Sequence, residues 1–261
     1  MRGTKADVLN RRDELLAYII NKEETTIEEL AMVFSVSTLT IRRDIEELKN
    51  NDVVSVRNGI VRIKDNRKFF FRDKSFYVER KRIQMRAAEL IEDGDVIYIN
   101  TSFTALGMLE FIQNTYCTVV TNNSHIFDLN LDNRIIPILT GGEIRQPRSS
   151  LSGEYTLEML NRIRANKCFV GVDGISLDGT AFVRNGGALS CSVHHEAIIN
   201  ETMLKNCTGK RYITVLSNRF GRIDRFSCGT LDNVDGIITD SQANPLDVSE
   251  LKSRGIEVLL V

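Results

Sequence analysis

From residue 95 onward the chain alternates short apolar runs with segments of helical period, and this rhythm restricts its fold more than any other feature. Strand-length runs lie at 95–99, 117–121, 135–139, 167–172, 210–216, 235–239 and 256–260. Helical spacing recurs near 82–92, 104–113, 155–164, 193–206 and 246–254. Runs such as 96–99 and the terminal 258–261 are apolar at successive positions, so both faces of those strands must be covered. A parallel sheet flanked by helices does this, and alternating helices supply the crossovers that parallel pairing requires. The predicted class is α/β, a Rossmann-like and mostly parallel sheet, with ligands at the carboxyl ends of its strands.

The first 64 residues follow another pattern. Val8, Leu15, Leu16 and Ile19 stand at helical spacing within 7–21. Thr26 offers an N-cap with Glu29 three residues later, a capping box for a second helix. After the break Ser35-Val36-Ser37, Ser37 caps a third helix, and 53–63 reads as two short strands turning at Asn58-Gly59. Helix, helix, turn, helix, hairpin is the order of a small winged helix-turn-helix. Residues turn about 100° each along a helix, so Ile41, Ile45 and Leu48 form an inward stripe while Leu39 and Arg43 face out, flanked by Thr38, Thr40 and Arg42. No acid occurs from Ser37 through Arg43; Asp44, Glu46 and Glu47 follow. The first residues of such a helix reach base edges, where Arg pairs with guanine and Thr or an apolar side chain meets a thymine methyl. Arg11, Arg12, Arg57, Arg62 and Lys64 are candidates for backbone phosphates. Periodicity alone describes equally a small helical subdomain with a solvated charged face.

The formal net charge of -1 conceals segregation. Residues 1–64 are neutral, 65–86 carry +5 and 87–261 carry -6. The basic stretch has little period before Arg80, so the expected organisation is a DNA-binding head at 1–64, a linker at 65–80 and an α/β domain at 81–261. With 42% hydrophobic residues and 3 prolines, the composition is that of a folded protein. No apolar run approaches the length of a membrane span, and the first residues lack the apolar core of a secretory signal. The expected location is the cytoplasm, with no membrane partner. Five scattered cysteines without a Cys-x-x-Cys pair are expected to be reduced, buried thiols, and no cofactor is expected.

The run VSTLTIRRDIEELKNNDVVSVRNG resembles the helix-turn-helix signature of the DeoR family of bacterial transcription regulators, roughly VSxxTIRRDLxxLexxGxxxRxHGG. Val36, Ser37, Thr40, Ile41, Arg42, Arg43, Asp44, Leu48 and Gly59 match. Asp52, Asn58 and Ile60 depart from it, all in or beside the wing. Five later segments follow in order that family's C-terminal domain, which is similar to sugar-phosphate isomerases and senses a phosphorylated sugar: 82–112, 118–126, 138–145, 168–179 and 217–222. The DNA-binding candidates are then Ser37, Thr38, Leu39, Thr40, Arg42 and Arg43, with Arg57 from the hairpin. The resemblance implies an effector pocket of Ser102, Phe103, Thr104, Thr121, Asn122, Gly141, Gly142, Asp173, Gly174, Glu196 and Arg219.

The pocket match is uneven. Where the family has a phosphate loop near DxGTTT, this chain has NTSFTA: Asn100 replaces the acid, Ser102 the glycine and Phe103 a threonine, leaving Thr104. A lysine usual four residues after Glu196 is Asn200, and an Asp-Ser-Ser-Lys run is Leu216, Ser217, Asn218 and Arg219. Without the resemblance, Gly141-Gly142 and Asp173-Gly174 read as strand-end turns. His194 and His195 point about 100° apart on a helix, so with only His125 besides them no metal site is expected. Arg145, Arg148 and Arg184 are reserve candidates for phosphate. The expected function is a DNA-binding transcription regulator, a repressor of a carbohydrate operon that responds to a phosphorylated sugar, binds double-stranded operator DNA as a homo-oligomer and is not an enzyme. One alternative is an isomerase-like enzyme with an accessory DNA-binding head, in which Asp173 or Glu196 transfers protons. The other is a regulator whose altered pocket takes a different ligand or none.

Overall fold

The structure is a computed structural model that describes residues 5–50, 53–64, 76–146, 148–178 and 187–261. It divides into two compact units, Met1–Val78 and Glu79–Val261. The expected linker at 65–80 falls largely outside the described residues, as do Asp52 and Arg184.

In the first unit, α1 (Lys5–Lys22), β1 (Glu24–Thr26), α2 (Ile27–Val33), α3 (Thr38–Asn50), β2 (Val54–Arg57) and β3 (Ile60–Ile63) form a winged helix-turn-helix. Local chemistry sets each boundary. Thr26 caps α2 by accepting from the Glu29 amide at 3.2 Å. The Glu29 carboxylate does not return to the cap; it takes the Tyr18 hydroxyl at 2.6 Å and pairs with Lys22, tying α2 to α1. Ser35 sits at φ 52 just beyond α2, with its amide on Met32 and the Val36 amide on Ala31. That closure reverses the chain toward the next helix. Ser37 caps α3, accepting from the Thr40 amide at 3.2 Å. Asn58 and Gly59 both have positive φ, 50 and 78, as a two-residue turn between twisted strands requires. β1 adds a third strand to the wing in the order β1-β3-β2, a piece too short and polar to show a strand period. Leu15, Ile19, Leu30, Ile41, Val54 and Val61 form a fully buried core.

In the second unit, α4 (Tyr77–Ala88) leads into β4 (Asp95–Ile99), α5 (Phe103–Gly107), β5 (Cys117–Thr121), β6 (Ile135–Leu139), β7 (Glu143–Arg145), β8 (Ser150–Ser152), α6 (Glu154–Arg162) and β9 (Ala165–Val170). There follow β10 (Gly174–Ser176), β11 (Ala188–Cys191), α7 (His194–Asn206), β12 (Cys207–Thr214), β13 (Phe226–Thr230), β14 (Gly236–Thr239), α8 (Pro245–Ser253) and β15 (Glu257–Leu260). The seven apolar runs of the sequence make one parallel sheet, ordered β15-β14-β12-β9-β4-β5-β6. From β4 the chain builds outward through β5 and β6, then returns to the other side of β4 at β9 and continues away. The strand order therefore reverses between β4 and β9, and their carboxyl ends flank the crevice where such sheets take ligands.

Two features differ from expectation. The helix expected at 82–92 begins earlier, at Tyr77, and stops at Ala88, while the one expected at 104–113 is α5 followed by a 3-10 turn, Met108–Phe111. A second, antiparallel sheet, β10-β11-β13, and the β7-β8 ribbon were not expected. Their strands are only three to five residues long and, apart from β7, rich in Gly, Ser and Cys, too short for a pattern to distinguish them from loop. All five cysteines are buried, and burial pushes the Cys117 thiol up to about 11. Among the described residues no helix is long and apolar enough to cross a membrane.

Candidate functional site

The outer face of α3 is set by what its inner face buries. Ile41, Ile45 and Leu48 pack into the core, which leaves Ser37, Thr38, Leu39, Arg42 and Arg43 exposed. Thr40 is half-buried, its hydroxyl 2.9 Å from that of Ser37. Leu39 keeps 58% of its surface in water, an apolar group with no neighbour to explain its exposure. Asp44, the first acid after this face, is turned inward with 2% exposure and accepts Arg11 Nε at 2.8 Å and Arg12 Nε at 2.9 Å. Two arginines read as phosphate contacts are thus engaged by a carboxylate, and Arg62 pairs with Glu24 at 2.7 Å. Arg57 is exposed beside the hairpin turn.

This geometry gives Arg57 and Arg43, both exposed, different expected effects. Arg57→Ala should weaken binding to all DNA sequences and lower the slope of log affinity against log salt by about 1. Arg43→Ala should cost about 1–3 kcal/mol at one base position and relax discrimination there. Fluorescence anisotropy on the chain's own upstream DNA, with base-substituted competitors over a salt series, reads both; a uniform loss for Arg43→Ala would contradict the assignment.

At the switch point of the large sheet, Asn100 bridges the ends of β4 and β9. Its Nδ2 donates to the Gly171 carbonyl and to Asn200 Oδ1, both at 2.8 Å. Its Oδ1 accepts from the Gly171 amide at 3.0 Å and the Ser102 amide at 3.2 Å. Every hydrogen-bonding position of this side chain is filled by protein. Asn200 Nδ2 continues the chain of contacts to Cys191 Sγ at 3.2 Å. The two positions where the sequence departs from a charged acid and a charged lysine are therefore partners, a neutral amide pair buried at 2% exposure each. Gly171 is required here, because a Cβ on it would lie 2.2 Å from Ser102 Oγ.

Beside that bridge the antiparallel sheet carries the chain back to Asp173. The Asp173 amide donates to the Ser190 carbonyl, and its Oδ2 accepts from the Ser192 amide at 2.9 Å and hydroxyl at 2.7 Å. Glu196, in the first turn of α7, accepts Arg148 NH1 at 2.6 Å, and Arg148 NH2 stands 3.9 Å from Asp173 Oδ1. Burial raises the Glu196 carboxyl, with the Asp173 charge adding and Arg148 opposing. Burial also acts to raise Asp173, but the two Ser192 donors and the charges of Arg148 and Arg219 outweigh it and hold this carboxyl below its usual range. Burial, then the charges of Arg145, Arg148 and His194, lowers His195. Asp173, Glu196 and Arg219 are thus brought into one electrostatic cluster, together with Arg148 and Ser192.

The remaining candidates have visible structural duties. Thr121 Oγ1 accepts from the Asn123 amide at 3.1 Å, and Asn122 Nδ2 holds the Leu151 carbonyl at 3.0 Å. Among the described residues, buried Asn122 Oδ1 has no hydrogen-bond partner. Gly141 and Gly142 have φ of 72 and 110, and a Cβ on Gly142 would lie 2.3 Å from Thr156 Oγ1 and 2.4 Å from the Ser152 carbonyl. A Cβ on Gly174 would meet the Arg222 carbonyl at 2.4 Å. Gly142 and Gly174 serve close backbone approach, whereas Gly141 supplies only the positive φ, with nothing within 4 Å of a Cβ placed on it. Thr104 is buried within α5, Ser102 caps that helix, and Phe103 lies edge-on to His125 at 5.8 Å between ring centres. Arg145 is engaged by Glu143 and donates to Ser152 Oγ at 3.1 Å. Among the described residues no group of three or more His, Cys, Asp or Glu is placed to hold a metal ion. Sequence reasoning missed Ser192 and ranked Arg148 with two other arginines. The one available signal for the Asn100–Asn200 link was that both departures fall on groups of opposite charge.

Comparison with known proteins accords with this architecture. The family described as the DeoR C terminal sensor domain matches residues 75–241, and the DeoR-like helix-turn-helix domain matches residues 11–66. The lactose phosphotransferase system repressor of Staphylococcus epidermidis is 27% identical over 260 residues, covering 96% of this chain and 98% of that protein. The HTH-type transcriptional repressor GlcR of Bacillus subtilis is 25% identical over 252 residues, covering 94% and 93%. Among solved structures, ribose 5-phosphate isomerase A from Methanocaldococcus jannaschii shares 13% identity at a TM-score of 0.36, covering 54% of this chain and 53% of that one. The chain spans about half the length of that structure. With both halves matched in order and the sensor match covering most of the length, the chain belongs to the DeoR family of helix-turn-helix transcription regulators.

Proposed function

We propose that this chain is a repressor that releases its operator when a phosphorylated sugar binds at the carboxyl edge of the large sheet, that it acts as a homo-oligomer, and that it does not turn its effector over. The observation that carries the reading is the pairing, in one chain, of an acid-free exposed stretch from Ser37 through Arg43 at the start of α3 with a charged cluster of Arg148, Asp173, Glu196 and Arg219 whose neighbouring polar pair is neutral. Two arginines and two carboxylates suit a ligand bearing an anion and hydroxyl groups. Proton transfer on a sugar needs an acid and a base with complementary tuning; Asn100 and Asn200 supply neither, and the oppositely tuned Glu196 and Asp173 are engaged by Arg148 and by Ser192. One reading helix contacts too few bases for good specificity, which favours a symmetric assembly on paired half-sites. The relatives named as repressors support the regulatory part. The test is release of the protein from its own upstream DNA by a panel of sugar phosphates, read by anisotropy, with effector recovery checked by chromatography. Retention on DNA in every case would defeat the sensor part, and conversion of the effector would defeat the claim of no turnover.

A further inference from the structure

We propose that Arg148 is the receptor for the effector's anionic group and is held on Glu196 until the effector arrives, so that only a ligand carrying both an anion and hydroxyl groups completes the exchange. This rests on the reading of the carboxyl-edge cleft as the effector site. Arg148 comes from the segment between β7 and β8, and its side chain keeps 39% of its surface in water while its partner Glu196 keeps 5%. One end of the ion pair faces solvent and the other is enclosed. Drawing Arg148 away strands a buried carboxylate, which is strongly unfavourable unless new donors arrive. Inorganic phosphate brings charge for Arg148 but no replacement for Glu196, and a neutral sugar brings hydroxyl donors but nothing to draw the arginine. A phosphorylated sugar supplies both. Asp173 stands ready to share the hydroxyls, since the Ser192 donors occupy Oδ2 and leave Oδ1 facing Arg148 at 3.9 Å. Of the two arginines in that segment, Arg145 is engaged by Glu143 and Ser152 outside the cluster, and Arg148 is the one that reaches Glu196 and Asp173.

The experiment is calorimetric titration of the full chain and of its Arg148→Gln and Glu196→Gln variants with hexose and pentose phosphates, the corresponding free sugars and inorganic phosphate. The unaltered chain should bind at least one sugar phosphate at least 100-fold more tightly than either the free sugar or inorganic phosphate. Arg148→Gln should lose that ligand by tenfold or more. Glu196→Gln, which releases Arg148 from its carboxylate, should gain at least tenfold for inorganic phosphate, a gain that damage to folding does not mimic. An unaltered affinity in Arg148→Gln, or no phosphate gain in Glu196→Gln, overturns the exchange and leaves the sensor reading standing. Absence of any sugar-phosphate binding by the unaltered chain overturns both.

Discussion

Asn100→Asp alone is expected to destabilise the second unit by about 3–5 kcal/mol, the range for a buried charge left without a partner. Asn100 Nδ2 lies 2.8 Å from two acceptors, the Gly171 carbonyl and Asn200 Oδ1, so a carboxylate in its place sets oxygen against oxygen in a site with 2% exposure. Asn200→Lys alone should be of similar size, since it puts an ammonium beside the Asn100 amide and Cys191 Sγ. Made together, the two should cost less than either alone, because the new charges face each other and the coupling appears as a non-additive term. The pH dependence has a definite sign. The introduced carboxyl, buried and unpaired, has its folded pKa raised above the unfolded value, so its deficit is largest at neutral pH and shrinks as pH falls through that folded pKa. Urea unfolding followed by circular dichroism at pH 7.5 and pH 5 measures this. Additive losses, or a single variant as stable as the unaltered chain at pH 7.5, would show that the amide bridge is not the neutral counterpart of an ion pair.

Asp44→Ala is expected to destabilise the DNA-binding unit by about 2–3 kcal/mol, below the usual range for breaking a buried pair because Arg11 and Arg12 keep 22% and 25% of their side chains in water. In so small a unit that lowers the midpoint of its thermal transition by about 10–20 °C. Asp44 holds α1 against α3 and immediately follows Arg43, so loosening it should disturb the aim of the reading helix as well. The functional signature is a larger loss for operator than for random DNA. Differential scanning calorimetry together with the specific-to-nonspecific affinity ratio separates this from simple loss of charge contacts. An unchanged first transition with equal losses on both DNAs would place Arg11 and Arg12 on phosphates after all.

Much of this molecule was legible residue by residue. The Thr26 and Ser37 caps, the Asn58-Gly59 turn and the buried stripe Ile41, Ile45 and Leu48 all stand where spacing and turn chemistry put them. So do the seven strands of the parallel sheet, within about three residues at their ends. The antiparallel sheet was not legible, because strands such as Gly174–Ser176 and Ala188–Cys191 are stabilised by partners rather than by their own pattern. The site was legible as a set of residue types and illegible as a set of contacts. Arg148 could not be told from Arg145 by any local feature, yet one reaches Glu196 and the other Glu143.

By itself the sequence determined the class of fold, the order of the two units and the outward face of α3. Each of these follows from interactions within a few residues of chain, where periodicity and capping act. Only the tertiary structure decided that Arg11 and Arg12 close on Asp44, about thirty residues away, and that Asn100 meets Asn200 across a separation of 100 residues. The physical reason is that a buried polar group is defined by its partner, and the partner is chosen by the sheet order that brings β4 beside β9 and α7 over their ends. A neutral amide pair and a lost ion pair look alike as two substitutions in a sequence; in three dimensions they are one contact.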